Sequence, residues 1–215
     1  VSSGRRPGRP RGPQQDPAER RAALLGAAED AIRDHGPDVS MEQIADRAGV
    51  SKATLYDNFD GKLGLTQALL QRYGTRLLHR FADAIAGPVR PRQVVTGGLA
   101  TFVRFIAEDP DIYRFIVRHA SGDDLADEIA RPIAALLRSL EVAEPEALAH
   151  ATLGTIVSAT QWWSGRADAD LDGFLTQLTT YVWGGLAAAG VVDDRPLDTA
   201  GLAAVLDAAT ADQRA

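Results

Sequence analysis

The sequence predicts an all-α protein, and three observations carry that expectation. From residue 17 onward, Ala- and Leu-rich segments with helical spacing follow one another. Alternating β-branched runs of the kind that make strands are missing, and the breaks between segments hold residues that start or stop helices. The pattern predicts helices over 17–35, 41–48, 52–59, 62–86, 92–108, 110–119, 123–140, 145–165, 169–189 and 198–211. No internal repeat is visible, which argues against a solenoid.

The first predicted helix opens with Asp16-Pro17-Ala18-Glu19: a capping carboxylate, a proline that needs no amide partner, and an acid three residues after the cap. Leu24, Ala28, Ala31, Ile32 and His35 recur at spacings that put them on one face, and Gly36-Pro37 ends the helix. Ser40 and Gln43 then form a capping box for a short helix that ends at Gly49, whose missing Cβ suits the left-handed conformation of a sharp turn. Val50 is placed to plug the corner and Ser51 to cap the next short helix. Met41, Ile44, Ala45 and Ala48 should pack inward with Leu55 and Phe59, leaving Lys52, Tyr56 and Asn58 to point outward.

Further along, Gly87-Pro88 is expected to end the fourth helix, and Asp109-Pro110 to supply an N-cap and a proline at the first helical position. Pro132 should kink or shorten the seventh segment. The segments Phe102–Ile106 and Ile112–Val117 concentrate bulky apolar groups, joined by Trp162, Trp163, Phe174, Tyr181 and Trp183. Segments 145–165 and 169–189 are rich in small residues such as Ala151, Gly154, Thr155 and Ser158, with Leu171, Leu175, Leu178 and Val182 at intervals. Such composition permits close helix approach.

Composition bounds the class. The chain has 215 residues, 45% of them hydrophobic, enough for a substantial core, and no apolar run long enough to span a bilayer. Its first residues are polar and basic, unlike a signal peptide. The absence of cysteine excludes disulfides, thiolate metal sites and thiol chemistry and fits a cytoplasmic location. The net charge of -6 is unevenly spread: residues 1–80 carry 13 Lys+Arg against 10 Asp+Glu, the remainder 10 against 19. A basic front end suits phosphate while an acidic body stays off it. Residues 1–15, nearly devoid of apolar groups, read as a disordered arm.

The stretch IADRAGVSKATLYDNFDGKLGL, residues 44–65, resembles the DNA-binding signature of the TetR family of bacterial regulators, with the likeness covering roughly residues 17–65. Its telling elements are Ala45, Ala48-Gly49-Val50-Ser51, Leu55-Tyr56, Phe59 and Lys62. The resemblance implies that the third helix enters the major groove, that Ser40, Lys52, Tyr56 and Lys62 hold phosphates, and that Lys52 or Asn58 reaches bases. Lys offers a mobile charge, Tyr a polar tip on an aromatic body, and Asn a bidentate match for adenine. Ser51 and Thr54 belong to the same implied DNA-binding set. Asn58 stands where the family often has histidine, and Gly61 where a capping Ser or Asn is common. Asp57 is expected to face away or to screen a neighbouring base or lysine. In the arm, Arg5-Arg6-Pro7-Gly8-Arg9-Pro10-Arg11-Gly12 resembles an AT-hook, and Arg9 and Arg11 are the residues it would lay in a minor groove about 6 Å wide.

The resemblance further implies three parts: the arm (1–15), a helix-turn-helix domain (16–65) and a ligand-binding and dimerisation domain (66–215). In the last, the final two long helices would form a homodimer interface, and Phe102, Phe105, Tyr113, Arg118 and Trp162 would line a site for a small hydrophobic effector. Acyl group, steroid and lipophilic drug fit that expectation equally, and no cofactor or metal is implied. Two rivals remain: an architectural DNA-binding protein without an effector, and an enzyme. For the second, His35, His79, His119 and His150 are scattered, and no HExxH, GxSxG or phosphate-binding loop is present. The expectation is a repressor released from a palindromic double-stranded operator, located at the nucleoid when bound.

Overall fold

The computed structural model describes residues 16–84, 89–120, 123–166, 170–194 and 196–197. Among them the chain forms α1 (Pro17–His35), α2 (Met41–Ala48), α3 (Lys52–Phe59), α4 (Gly61–Ala84), α5 (Pro91–Glu108), α6 (Pro110–His119), α7 (Asp123–Ser139), α8 (Pro145–Ser164) and α9 (Leu171–Ala188), with no strand. The expected helix over 198–211, the break at Gly87-Pro88 and the arm lie outside the described residues.

Local chemistry explains the first elements. Asp16 Oδ1 accepts from the Ala18 amide at 3.0 Å to open α1. The Ser40 hydroxyl accepts from the Gln43 amide while Gln43 Oε1 accepts from the Ser40 amide, both ends of the capping box being closed. Gly49 sits at φ 65, ψ 30, in the left-handed region that a Cβ disfavours, and so turns the chain sharply from α2 into α3. Pro132 is accommodated inside α7, which runs on to Ser139; the expected shortening does not occur.

Two apolar clusters organise the molecule. The first joins α1, α2 and α3 through Leu24, Ala28, Ile32, Ile44, Leu55 and Phe59, and continues through Leu65, Leu69 and Tyr73 of α4 to Phe105, Ile112 and Phe115. The second is built from α5, α7, α8 and α9, with Leu99, Val103, Leu137, Trp163, Leu178 and Val182 among its members, and Phe102 borders both. A division at 65/66 therefore falls within α4, and the first core runs straight across it. His35, expected on the inner face of α1, is exposed: it is the last residue of the helix, one turn beyond Ile32, which is the last α1 residue to enter the core.

The α5–α6 turn departs from the cap that the sequence predicts. Asp109 occupies the N-cap position, but its carboxylate makes no cap bond. It accepts instead from Arg33 Nε at 2.7 Å and Nη2 at 3.1 Å, and from the Tyr73 hydroxyl at 3.1 Å. A two-pronged charge-assisted contact with a cation from another helix outcompetes a local amide. It also ties α1 to the turn that begins α6.

The Arg33 hydrogen bond holds the Asp109 carboxyl below the ordinary aspartate range. A carboxylate whose folded pKa is depressed contributes stability that is complete above about pH 4 and is lost as pH falls further. Asp109→Asn should therefore cost about 1–2 kcal/mol at pH 7. Its urea-unfolding free energy should converge on that of the parent as pH drops toward 2, and parallel pH profiles would contradict the assignment.

Candidate nucleic-acid interface

The α2–turn–α3 unit presents three rows of side chains along α3 with different fates. Leu55 and Phe59 are buried in the first core and fix the helix from below. Lys52, Tyr56 and Asp57 are exposed, Tyr56 at 43%. Lys52 and Tyr56 are four residues apart and so stand one above the other on the open side.

Ser51, Thr54 and Asn58 form a third row that is knitted together. Ser51 Oγ accepts from the Thr54 amide at 3.1 Å and lies 2.8 Å from the Thr54 hydroxyl. The Asn58 side-chain amide donates to the Thr54 carbonyl at 2.7 Å, and Asn58 is half-buried. The expectation that Asn58 points outward to read bases is corrected on that ground: its amide group closes back on its own helix. Arg21 of α1 caps this end, donating to the Asn58 carbonyl at 2.8 Å with its guanidinium 4.7 Å from the centre of the Phe59 ring. Sequence reasoning missed Arg21, although its place one residue past the polar start of α1 marks it as a surface cation next to the turn.

Lys62 is also turned away from the role expected of it. Its ammonium donates to the Val39 carbonyl at 3.1 Å and stands 5.2 Å from the Phe115 ring centre. Partial burial lowers its pKa. Beside it Arg118 pairs with Asp38, and His119 has its pKa lowered by burial and by the Lys62 charge. Lys62 thus struts α4 against the loop before α2 and against α6. Ser40 keeps its hydroxyl proton uncommitted by the capping box, at the exposed start of α2.

At the α3–α4 junction a Cβ on Gly64 would lie 1.6 Å from the Phe59 carbonyl oxygen, so backbone meets backbone there and only glycine fits. That contact brings the end of α3 close against the first turn of α4. Arg9 and Arg11 lie outside the described residues.

The expected effector-lining residues do not assemble as one site. Phe102 and Tyr113 meet edge to face at 6.2 Å, and the Tyr113 hydroxyl donates to the Val157 carbonyl of α8 at 3.1 Å. Phe105 is spent between Tyr73, 5.6 Å away, and the Arg80 guanidinium. Trp162 is 59% exposed with Arg166 stacked on it at 3.7 Å, and Arg118 belongs to the Asp38 corner. Both are removed from the set. One residue along α8, Trp163 is the tryptophan that enters the core, stacked on Phe174 at 5.5 Å.

A short capped helix, a left-handed glycine turn and a second short helix with an open polar row define a helix-turn-helix DNA-binding protein. The family model for bacterial regulatory proteins of the tetR family matches residues 24–69. An uncharacterized HTH-type transcriptional regulator of Mycobacterium tuberculosis is 30% identical over 199 residues, covering 86% of this chain and 84% of the relative. The HTH-type transcriptional activator FasR of Mycolicibacterium smegmatis is 30% identical over 188 residues, covering 79% of this chain and 84% of FasR. A TetR-like transcriptional regulator from Rhodococcus sp. RHA1, known from its crystal structure, aligns with a TM-score of 0.60 and 28% identity, over 82% of this chain and 99% of that one. The chain belongs to the TetR family and is a DNA-binding transcriptional regulator, not an enzyme.

Lys52→Ala should weaken operator binding on every sequence and reduce the slope of log affinity against log salt by about one unit per lysine engaged. Lys62→Met should lower the melting temperature and leave that slope as it is, because the ammonium is occupied by Val39. A Lys62→Met slope reduced as much as that of Lys52→Ala would return Lys62 to the phosphate-binding set.

Proposed function

We propose that the chain is a homodimeric repressor that grips a palindromic operator and is released by a small hydrophobic molecule bound in its helical body. The observation that carries the reading is the Arg33–Asp109 contact, which joins the first helix of the DNA-binding head to the turn between α5 and α6. Any shift of that turn on effector binding is felt at α1, and through α1 at α3. A ligand acts in this way only if it binds one arrangement of the turn better than the other.

Lys52, Tyr56 and the Ser40 hydroxyl hold phosphate and set register in this reading, with the Lys52 end of α3 nearest the bases. The arm adds Arg9 and Arg11, and removal of residues 1–15 should flatten the salt slope by about 2–4 units per arm engaged, read by the same titrations.

Dimerisation is supported by the outer faces of α8 and α9. Ala151, Gly154 and Ser158 on one and Gly184, Gly185 and Ala188 on the other are exposed, flanked by Trp162 at 59% and Tyr181 at 71% exposure. Small residues between two exposed aromatic rings suit helices of a second copy laid closely across them. A second reading, activation, is favoured by the relative FasR, a transcriptional activator. The same coupling serves either sign, and transcript levels from an operator-driven reporter separate them.

Sedimentation of the free protein should give a dimer, and selection from random DNA should return inverted half-sites one or a few helical turns apart. Gly184→Arg should produce a monomer that still melts cooperatively and binds the operator about a hundredfold more weakly, since the linked second half-site is lost. A parent protein that is monomeric at micromolar concentration with full operator affinity would sink the proposal.

A further inference from the structure

The second core contains two polar atoms that nothing in the protein satisfies. Thr160 is fully buried and Trp163 is 9% exposed, and neither the Thr160 hydroxyl nor the Trp163 indole Nε1 has a hydrogen-bond partner. They lie three residues apart on α8, on the inward row that continues Ala149, Leu153 and Ile156. Residues at that spacing are neighbours on a helix surface.

The Thr160 case is unusual within this molecule. Thr66, Thr75, Thr96, Thr176 and Thr180 each donate to the carbonyl four residues earlier in their own helix. Thr160, deeper than the exposed members of that group, makes no such bond. Trp163 is packed against Phe174, their rings 13° from parallel with centres 5.5 Å apart, and its Nε1 finds no acceptor there. A buried donor left without an acceptor destabilises the fold, and two side by side are retained only where something else accepts from them.

The surroundings define that acceptor. Leu99 and Val103 of α5, Leu175 and Leu178 of α9 and Ala134 of α7 belong to the same cluster. Among the described residues the buried polar side chains are Glu29, Thr66 and Thr160, and Glu29 is taken up by arginines of the head. Among the described residues no lysine or arginine is buried, so an anionic group would enter unpaired at large cost. A carbonyl oxygen has two lone pairs and no charge, and it takes both donors at once.

We infer that Thr160 and Trp163 form the polar end of the effector site and select an apolar molecule bearing a neutral carbonyl acceptor, a ketone, ester, lactone or amide, over its hydrocarbon or free-acid counterpart. The inference rests on the effector-controlled reading proposed above and names the chemistry of that effector. It also replaces Trp162 by Trp163 as the tryptophan that meets ligand. Tyr113 stands at the neighbouring turn of α8 through its bond to the Val157 carbonyl, which connects this end of the site to α6 and so to the Asp109 turn.

Three probes of similar size separate the alternatives in calorimetric titrations of the full chain: acetophenone with a carbonyl, ethylbenzene without one, and benzoate with a charge. Acetophenone should bind about tenfold more tightly than ethylbenzene, and benzoate more weakly than acetophenone. Thr160→Val should reduce the acetophenone preference severalfold and melt no lower than the parent, since it removes an unsatisfied group and keeps the shape. Thr160→Val combined with Trp163→Phe should abolish the preference. Equal affinity for acetophenone and ethylbenzene, as when an ordered water occupies both donors, overturns the inference. So does tightest binding of benzoate, a failure of acetophenone to bind, or a marked loss of stability in Thr160→Val. Operator affinity is measured separately with saturating acetophenone. Thr160-dependent binding with unchanged operator affinity leaves the site in place and removes the effector-controlled reading instead.

Discussion

Glu29 is 5% exposed, and a carboxylate so deep in a protein is costly to the fold unless cations match it. Three arginines reach it: Arg76 at 2.6 Å, Arg72 at 3.0 Å and Arg33 at 3.5 Å. Two of them come from α4 and one from α1 itself, so the pairing fixes the roll and height of α1 against the long connecting helix. Two of the arginines then carry the constraint outward, while Arg72 returns to α1 through the Ala22 carbonyl. Arg33 continues to Asp109, while Arg76 lies over the Tyr73 ring at 4.3 Å, and the Tyr73 hydroxyl returns to Asp109. The head, the connector and the α5–α6 turn are held by one chain of charge-assisted bonds laid over an apolar core. Removing the arginines would leave the Glu29 carboxylate buried and unmatched, so the arrangement holds together as a unit.

That network explains why the polar side of α3 is divided between tasks. The residues nearest α1 and α4 are drawn into internal bonds: Ser51, Thr54 and Asn58 to one another, Arg21 to the end of α3, and Lys62 to the loop before α2. Lys52 and Tyr56 remain exposed and open to an outside partner. A recognition helix of eight residues has little buried area of its own, and much of its polar surface is consumed in holding it still.

The helix-turn-helix was legible in the sequence because its determinants are local. A capping box, a left-handed glycine and a second cap each act within four residues, and all three stand where Ser40, Gly49 and Ser51 indicate. Helix limits were legible for the same reason. What escaped were outcomes decided at a distance. Asp109 reads as a cap until Arg33, 76 residues away, is seen to claim it. Trp162 and Trp163 are adjacent letters, but one step along a helix is a rotation of about 100°, and only the position of Phe174 on α9 decides which ring turns inward. Lys62 reads as a free charge because nothing in its own segment reveals the Val39 carbonyl above it. His35 reads as a core residue because periodicity continues the inner face past Ile32, the last α1 residue that the core covers.

Gly64 has a consequence for how this head diversifies. Since α3 is set on α4 by main-chain atoms meeting at the Phe59 carbonyl, the docking angle owes nothing to the identity of the outer side chains. The exposed positions Lys52, Ala53 and Asp57 take no part in that contact. The helix is carried on a fixed mount, so descendants of this gene can vary its outer face by substitution there without first having to relearn how to present the helix.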